Sequence, residues 1–213
     1  MTKDMAEMSM TNLTRSLALG IALFGLPVIA QETTPEAPAE QLSMGAEAGA
    51  APAALKTKET AVVGEGYLAG NFDLWEQRCE KTAEGVDPCQ LFQLLKDADG
   101  NAVAEFSLFG LPPGGQAAAG ATIVAPLETL LTANIAIVID AGKGKLYPFT
   151  FCTQVGCVAR IGFTAAEVEQ FKKGAKATMT IVPAVAPDEK VNLDISLKGF
   201  TAGYEAVLAA SAP

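Results

Sequence analysis

The sequence predicts an all-β domain, a β-sandwich (immunoglobulin-like or related) with one short helix and two disulfides. Short apolar or alternating runs recur from residue 66 to 197 between Gly, Pro and Asp turns, the pattern of many strands in two layers. A single capping box, Thr164-Ala165-Ala166-Glu167, opens one brief helix. Four cysteines fall in two local pairs, Cys79 with Cys89 and Cys152 with Cys157, each beside strand-like sequence.

The domain does not begin at the first residue. Residues 17–29 form an apolar stretch after Arg15 that ends in Val28-Ile29-Ala30. It is short for a bilayer span, Pro27 interrupts it, and small residues stand at cleavage spacing. The expectation is a signal peptide over residues 1–30, cleaved after Ala30, with no transmembrane span once it is removed. Asp4 and Glu7 are unusual in a signal's leading segment, so Met8 and Met10 compete with Met1 as the start. Residues 31–65 are dominated by Ala, Glu, Pro and Gly and contain no aromatic residue; six glutamates against two lysines contribute −4 to a net charge of −9. Such a segment buries too little to offset its ordering entropy, so a disordered acidic tether is expected there. The domain proper is placed at 66–210.

Within it, residues 72–79 alternate, with Trp75, Gln77 and Cys79 on one face. Residues 89–96 and 103–109 flank Asp97-Ala98-Asp99-Gly100, a hairpin signal. Pro112-Pro113-Gly114-Gly115 breaks the chain, and 117–120 reads as a loose small-residue loop before a short run at 122–124. Residues 135–140 read as a buried strand, followed by a glycine turn, a strand over 146–152 and another over 156–161. In the helix after Thr164, Val168 and Phe171 face inward, and Lys172-Lys173-Gly174 supplies a cationic last turn and a stop. Residues 177–182 and 191–197 pair around Asp188. Phe200, Tyr204, Val207 and Leu208 have helical spacing, a terminal turn packed on the core.

Composition removes several function classes. An acidic chain without a basic run opposes binding to nucleic acid or an anionic leaflet. With no histidine, Ser–His and Cys–His nucleophilic sites are excluded and the commonest nitrogen ligand for a metal is missing. No catalytic residue, metal ligand or cofactor is assigned. Gly142-Lys143-Gly144-Lys145 lacks the spacing and the following Ser or Thr of a phosphate loop and reads as a turn. Glu167 and Glu169 sit at a helix start, where negative charge is favourable anyway. Asp140, ending an apolar strand, is the carboxylate to examine first, although turn formation is the commoner role. Trp75, the only tryptophan, reads as core, with a ligand platform as the sharper alternative.

An even cysteine count behind an export signal reads as structural disulfides made in an oxidising compartment. Local pairing closes short loops worth roughly 2–3 kcal/mol each, while crossed pairing closes a longer loop worth roughly 4–5 kcal/mol, so loop entropy does not choose between them. Gly85 and Pro88 in the first interval and Gly156 in the second favour Cys79–Cys89 and Cys152–Cys157. A redox-active pair at Cys152 and Cys157 lacks the Cys-X-X-Cys spacing.

Phe72-Asp73-Leu74-Trp75 with Cys79, Cys89-Gln90-Leu91, Pro148-Phe149 before Cys152, Gly156-Cys157, and the tail Ser196-Leu197-Lys198-Gly199-Phe200-Thr201-Ala202 together resemble the invasion-associated locus B family. Ala125-Pro126-Leu127 falls where that family tends to carry a Pro-Leu pair. The resemblance spans about 66–208 and leaves the tether as a departure. It implies a periplasmic or secreted protein of a Gram-negative bacterium with a disulfide-containing β-sandwich and no catalytic motif to transfer. The leading expectation is therefore a non-enzymatic exported binding module. It would present loops 110–122 and 141–146 to an envelope or host protein or to a small ligand. The alternative is a histidine-free periplasmic hydrolase or thiol-disulfide enzyme. A deep polar pocket converging on Asp140, Lys143 or Tyr147 would separate the two.

Overall fold

From Gly66 to Ala125 each strand pairs with the one before it, and hairpin by hairpin the chain lays down most of a large antiparallel sheet. A computed structural model describes residues 55–211. The strands are β1 (Gly66–Phe72), β2 (Trp75–Glu80), β3 (Cys89–Lys96), β4 (Ala102–Gly110), β5 (Ala119–Ala125), β6 (Ile135–Ile139), β7 (Lys145–Tyr147), β8 (Phe151–Cys152), β9 (Cys157–Phe163), β10 (Lys176–Ile181) and β11 (Val191–Ser196). Helices α1 (Ala165–Lys173) and α2 (Phe200–Ala210) complete the fold. Seven strands form one sheet in the order β1-β2-β3-β4-β5-β9-β8, and four form the other in the order β11-β10-β6-β7. The result is a two-layer β-rich sandwich with two disulfides, Cys79–Cys89 and Cys152–Cys157.

Alternation decides which face is buried. Trp75, Gln77 and Cys79 on β2 and Leu91, Gln93 and Leu95 on β3 are all buried. Two polar side chains tie the layers together: Trp75 Nε1 and Gln93 Nε2 donate to the Ser196 carbonyl at 2.7 and 3.2 Å, and Ser196 N–H donates to Gln93 Oε1 at 2.9 Å. Trp75 meets Phe106 and Phe200 edge to face, and Phe171 packs on Phe163. Aromatic pairs of this kind add roughly 0.5–1.5 kcal/mol beyond the area they bury. Trp75 is therefore core and no ligand platform.

The structure departs from the sequence expectations in several places, among them the strand expected over 146–152, which is split between β7 in one sheet and β8 in the other. The strand expected over 72–79 is the corner of a hairpin: Phe72 pairs with Trp75, and Asp73 takes φ 61 between them. Asp tolerates this left-handed geometry better than most residues, which is why the turn needs no glycine. Residues 119–120, read as loop, open β5, a central strand between β4 and β9. Its small residues make room, since the Phe109 ring lies where a side chain at Gly120 would stand. The terminal turn is a full second helix, α2, in which Gly203 allows close contact with Leu91 and Phe72.

Residues 55–65, assigned to the tether, lie on the domain. Lys56 bridges Tyr67, Ala61 is buried, and Lys56 pairs with Glu65 at 2.6 Å. The boundary expected at 66 thus falls inside packed chain, because one buried alanine and a backbone bridge suffice to lay a short segment down. The signal peptide, its cleavage after Ala30 and the tether up to residue 54 lie outside the described residues. Among the described residues no helix is long and apolar enough to cross a membrane.

Candidate functional site

A groove of about 750 Å³ opens between the β6–β7 hairpin and α1. Three local features shape it. Asp140 ends β6 at φ 48, and its carboxylate accepts the backbone N–H groups of Ala175 and Lys176, at 3.1 Å to Oδ1 in each case. That fastens the 140–144 turn to the start of β10. β7 pairs with β6 in a register that sets Tyr147 opposite Ile135 and Lys145 opposite Ile137. On the facing side the capping box starts α1 directly after β9: Glu167 N–H donates to Thr164 Oγ1, and Thr164 N–H donates to Glu167 Oε2 at 2.9 Å. The helix then carries Glu167, Gln170, Phe171 and Lys173 to the groove.

The floor is apolar. Ile137, Phe163 and Phe171 are buried, Ile139 and Tyr147 half-buried, and the Tyr147 ring meets Phe163 edge to face. The polar centre is Glu167, only 7% exposed. Its Oε1 accepts Lys145 Nζ at 2.7 Å and Tyr147 OH at 2.9 Å, and its Oε2 accepts the Thr164 hydroxyl at 2.7 Å. Burial pushes this carboxyl upward, but the hydrogen bonds from Lys145, from Thr164 and from Tyr147 outweigh it and hold the pKa at about 2. Burial first, and then the Glu167 carboxylate, raise the Tyr147 phenol well above its ordinary range. Around neutrality Glu167 stays ionised and Tyr147 stays protonated.

The structure brings Asp140, Lys143 and Tyr147 to one groove, together with the 141–146 loop. Loop 110–122 does not line it, and four of its residues belong to β5. The four cysteines lie elsewhere. Glu167 was visible in the sequence only as a helix-capping residue, and no signal there linked it to Tyr147 twenty residues earlier. Phe171 read as inward-facing, Phe163 lay just beyond the expected 156–161 strand, and neither gave a hint of a groove. Among the described residues lining it there is no serine, threonine or cysteine, and no cluster of three or more metal-binding side chains occurs among the described residues.

A second recess of about 470 Å³ borders Tyr67 and the Cys79–Cys89 bond. Close by, Asp87 is buried and accepts Tyr67 OH at 2.8 Å and Thr82 N–H at 2.8 Å, with Lys58 Nζ at 3.6 Å. The Thr82 backbone N–H, Tyr67 and the Thr82 hydroxyl lower its pKa to about 2, against the opposing effect of burial. Burial and Asp87 push the Tyr67 phenol up to about 12.

Comparison with known proteins decides the family. The profile of the invasion associated locus B (IalB) protein matches residues 75–208. The chain belongs to the IalB family. Invasion protein B homologs from Brucella abortus strain 2308 and from Brucella abortus biovar 1 strain 9-941 are each 31% identical to it over 87 residues, which is 41% of this chain. The chain spans about half the length of these curated relatives. The crystal structure of invasion associated protein B from Bartonella henselae superposes with a TM-score of 0.56 at 20% identity, covering 67% of this chain and 96% of that one. That likeness shows a shared IalB fold. The relatives are named for invasion, and none of these names denotes an enzyme.

Proposed function

We propose that this IalB-family chain is an exported, non-enzymatic binding module of a Gram-negative envelope, periplasmic or secreted, and that its ligand sits in the groove between β6–β7 and α1. One observation carries the reading: the groove is roomy and apolar, yet every polar group at its centre is already saturated. A general acid or base must exchange a proton near the working pH. Glu167 and Tyr147 are held far to either side of it, and each hydrogen-bonds the other. The pocket that would have favoured a hydrolase therefore exists, but its chemistry is that of a rigid wall. Export is supported by the leader-like residues 1–30 and by two disulfides, which persist in oxidising compartments.

The test is native mass spectrometry of the chain purified from the periplasmic or secreted fraction, with and without Gln170→Trp. Gln170 is exposed on the groove's lip, so an indole there fills the groove without disturbing the core. The expected result is a co-purified mass that the variant loses. Turnover of a substrate abolished by Glu167→Gln would overturn the reading. N-terminal sequencing of the same material is expected to begin at Gln31.

A further inference from the structure

The chemistry of the groove also specifies its occupant, an inference that rests on the binding reading above. We propose that the groove takes a free amphipathic monoanion, an acyl chain or comparable apolar body ending in a carboxylate.

The apolar half of the argument is the lining of Ile139 and the Tyr147 ring, both half-buried and backed by the buried Ile137, Phe163 and Phe171. Pockets of a few hundred to a thousand Å³ suit molecules of that size. The charged half comes from asking which groups remain unspent. Lys145 is committed to Glu167 at 2.7 Å, and the Asp140 carboxylate to two backbone N–H groups. Lys143, on the turn after β6, and Lys173, in the last turn of α1, line the groove from opposing elements. Neither has a carboxylate within ion-pair distance among the described residues. A net charge of −9 repels an anion at long range, but salt screens that field within about 8 Å, so the two lysines govern what docks beside them.

A peptide strand is the poorer fit. β7 offers a free edge of only three residues and is followed by Pro148, which has no N–H to give. A membrane surface fits no better, because an acidic domain is repelled by anionic lipid and the apolar surface here is recessed.

The test is isothermal titration calorimetry of the purified chain with decanoate and with decylammonium, both below their micellar range, at pH 7. Vesicle flotation with phosphatidylglycerol runs alongside. Decanoate is expected to bind, to weaken with added salt, to weaken about tenfold in Lys143→Gln/Lys173→Gln, and to be lost in Gln170→Trp. Decylammonium and the vesicles are expected not to bind. If decylammonium binds as well as decanoate and Gln170→Trp blocks both, the anion assignment falls while the groove remains the ligand site. If decanoate binding survives Gln170→Trp, or neither probe binds, the groove assignment itself falls. Vesicle binding abolished by the lysine substitutions would replace the free amphiphile with a membrane surface.

Discussion

Asp87 and Glu167 are held by the same four kinds of donor, yet only one of them lines a large open groove. Each buried carboxylate takes a tyrosine hydroxyl, a threonine hydroxyl, that threonine's backbone N–H and a lysine. Around Asp87 the donors come from β1, from the 81–88 loop, which the Cys79–Cys89 bond closes, and, for Lys58, from the segment before β1. Around Glu167 they come from β7 and from the cap of α1, and no covalent bond helps. The first cluster pins a loop, and the second holds a helix against a hairpin so that a gap stays open between them. Identical chemistry thus serves closure in one place and spacing in the other.

The largest expected effect breaks the covalent side of this comparison. Cys79→Ser/Cys89→Ser should lower stability by about 2–5 kcal/mol, as loss of a native disulfide typically does. Urea unfolding measures it. The Cys152–Cys157 pair, with a sequence separation of 5 against 10, should lose about 0.6 kcal/mol less on loop-closure grounds. An unchanged urea midpoint for the first pair would show that the Asp87 cluster holds the loop unaided.

Acid titration comes next. Both carboxyls lie lower in the folded chain, at about 2, than their reference values of 3.8 and 4.5. The stability they contribute is therefore complete above the reference range and drains away as pH falls toward about 2. Asp87→Asn and Glu167→Gln should each flatten part of that decline, followed by circular dichroism across pH 5 to 2 in comparison with wild type. Equal acid sensitivity of all three proteins would contradict the assignment.

Smaller effects sharpen the comparison. Tyr67→Phe and Tyr147→Phe should each cost about 1 kcal/mol, one hydrogen bond apiece. They should differ in a second readout. Without its tyrosine hydroxyl Glu167 keeps Lys145 at 2.7 Å, whereas the lysine beside Asp87 stands at 3.6 Å. Carboxyl-carbon NMR should show Asp87 rising further than Glu167. The smallest change is trimming. Deletion through residue 54 should leave the melting temperature where it is. Deletion through 65 should lower it by about 2–4 °C, the shift expected for about 1 kcal/mol in a domain of this size.

Legibility of the fold followed local chemistry. The β3–β4 hairpin, the β10–β11 pair and the α1 capping box were readable because Asp97 to Gly100, the strand alternation and Thr164 with Glu167 act within a few residues of one another. β1 was not readable: Gly66, Gly70 and a register shift between Leu68 and Gly70 erase its alternation. β5 hid behind small residues whose reason is the Phe109 ring on the neighbouring strand. The groove was half visible. Asp140, Lys143 and Tyr147 stood close together in sequence and stayed together in space. Glu167, Phe171 and Lys173 joined them only through the packing of α1, which no spacing along the chain encodes.

The stitch at Ser196 has a consequence for the chain's history as well as its stability. Its partners Trp75 and Gln93 lie 121 and 103 residues earlier. A polypeptide made from its N-terminus holds that indole and that amide without their final acceptor until β11 has emerged, and contacts of such separation form slowly. The large sheet therefore has all its own strands before its inner face is sealed. A chain in that condition locks its two layers together only when the last strand arrives.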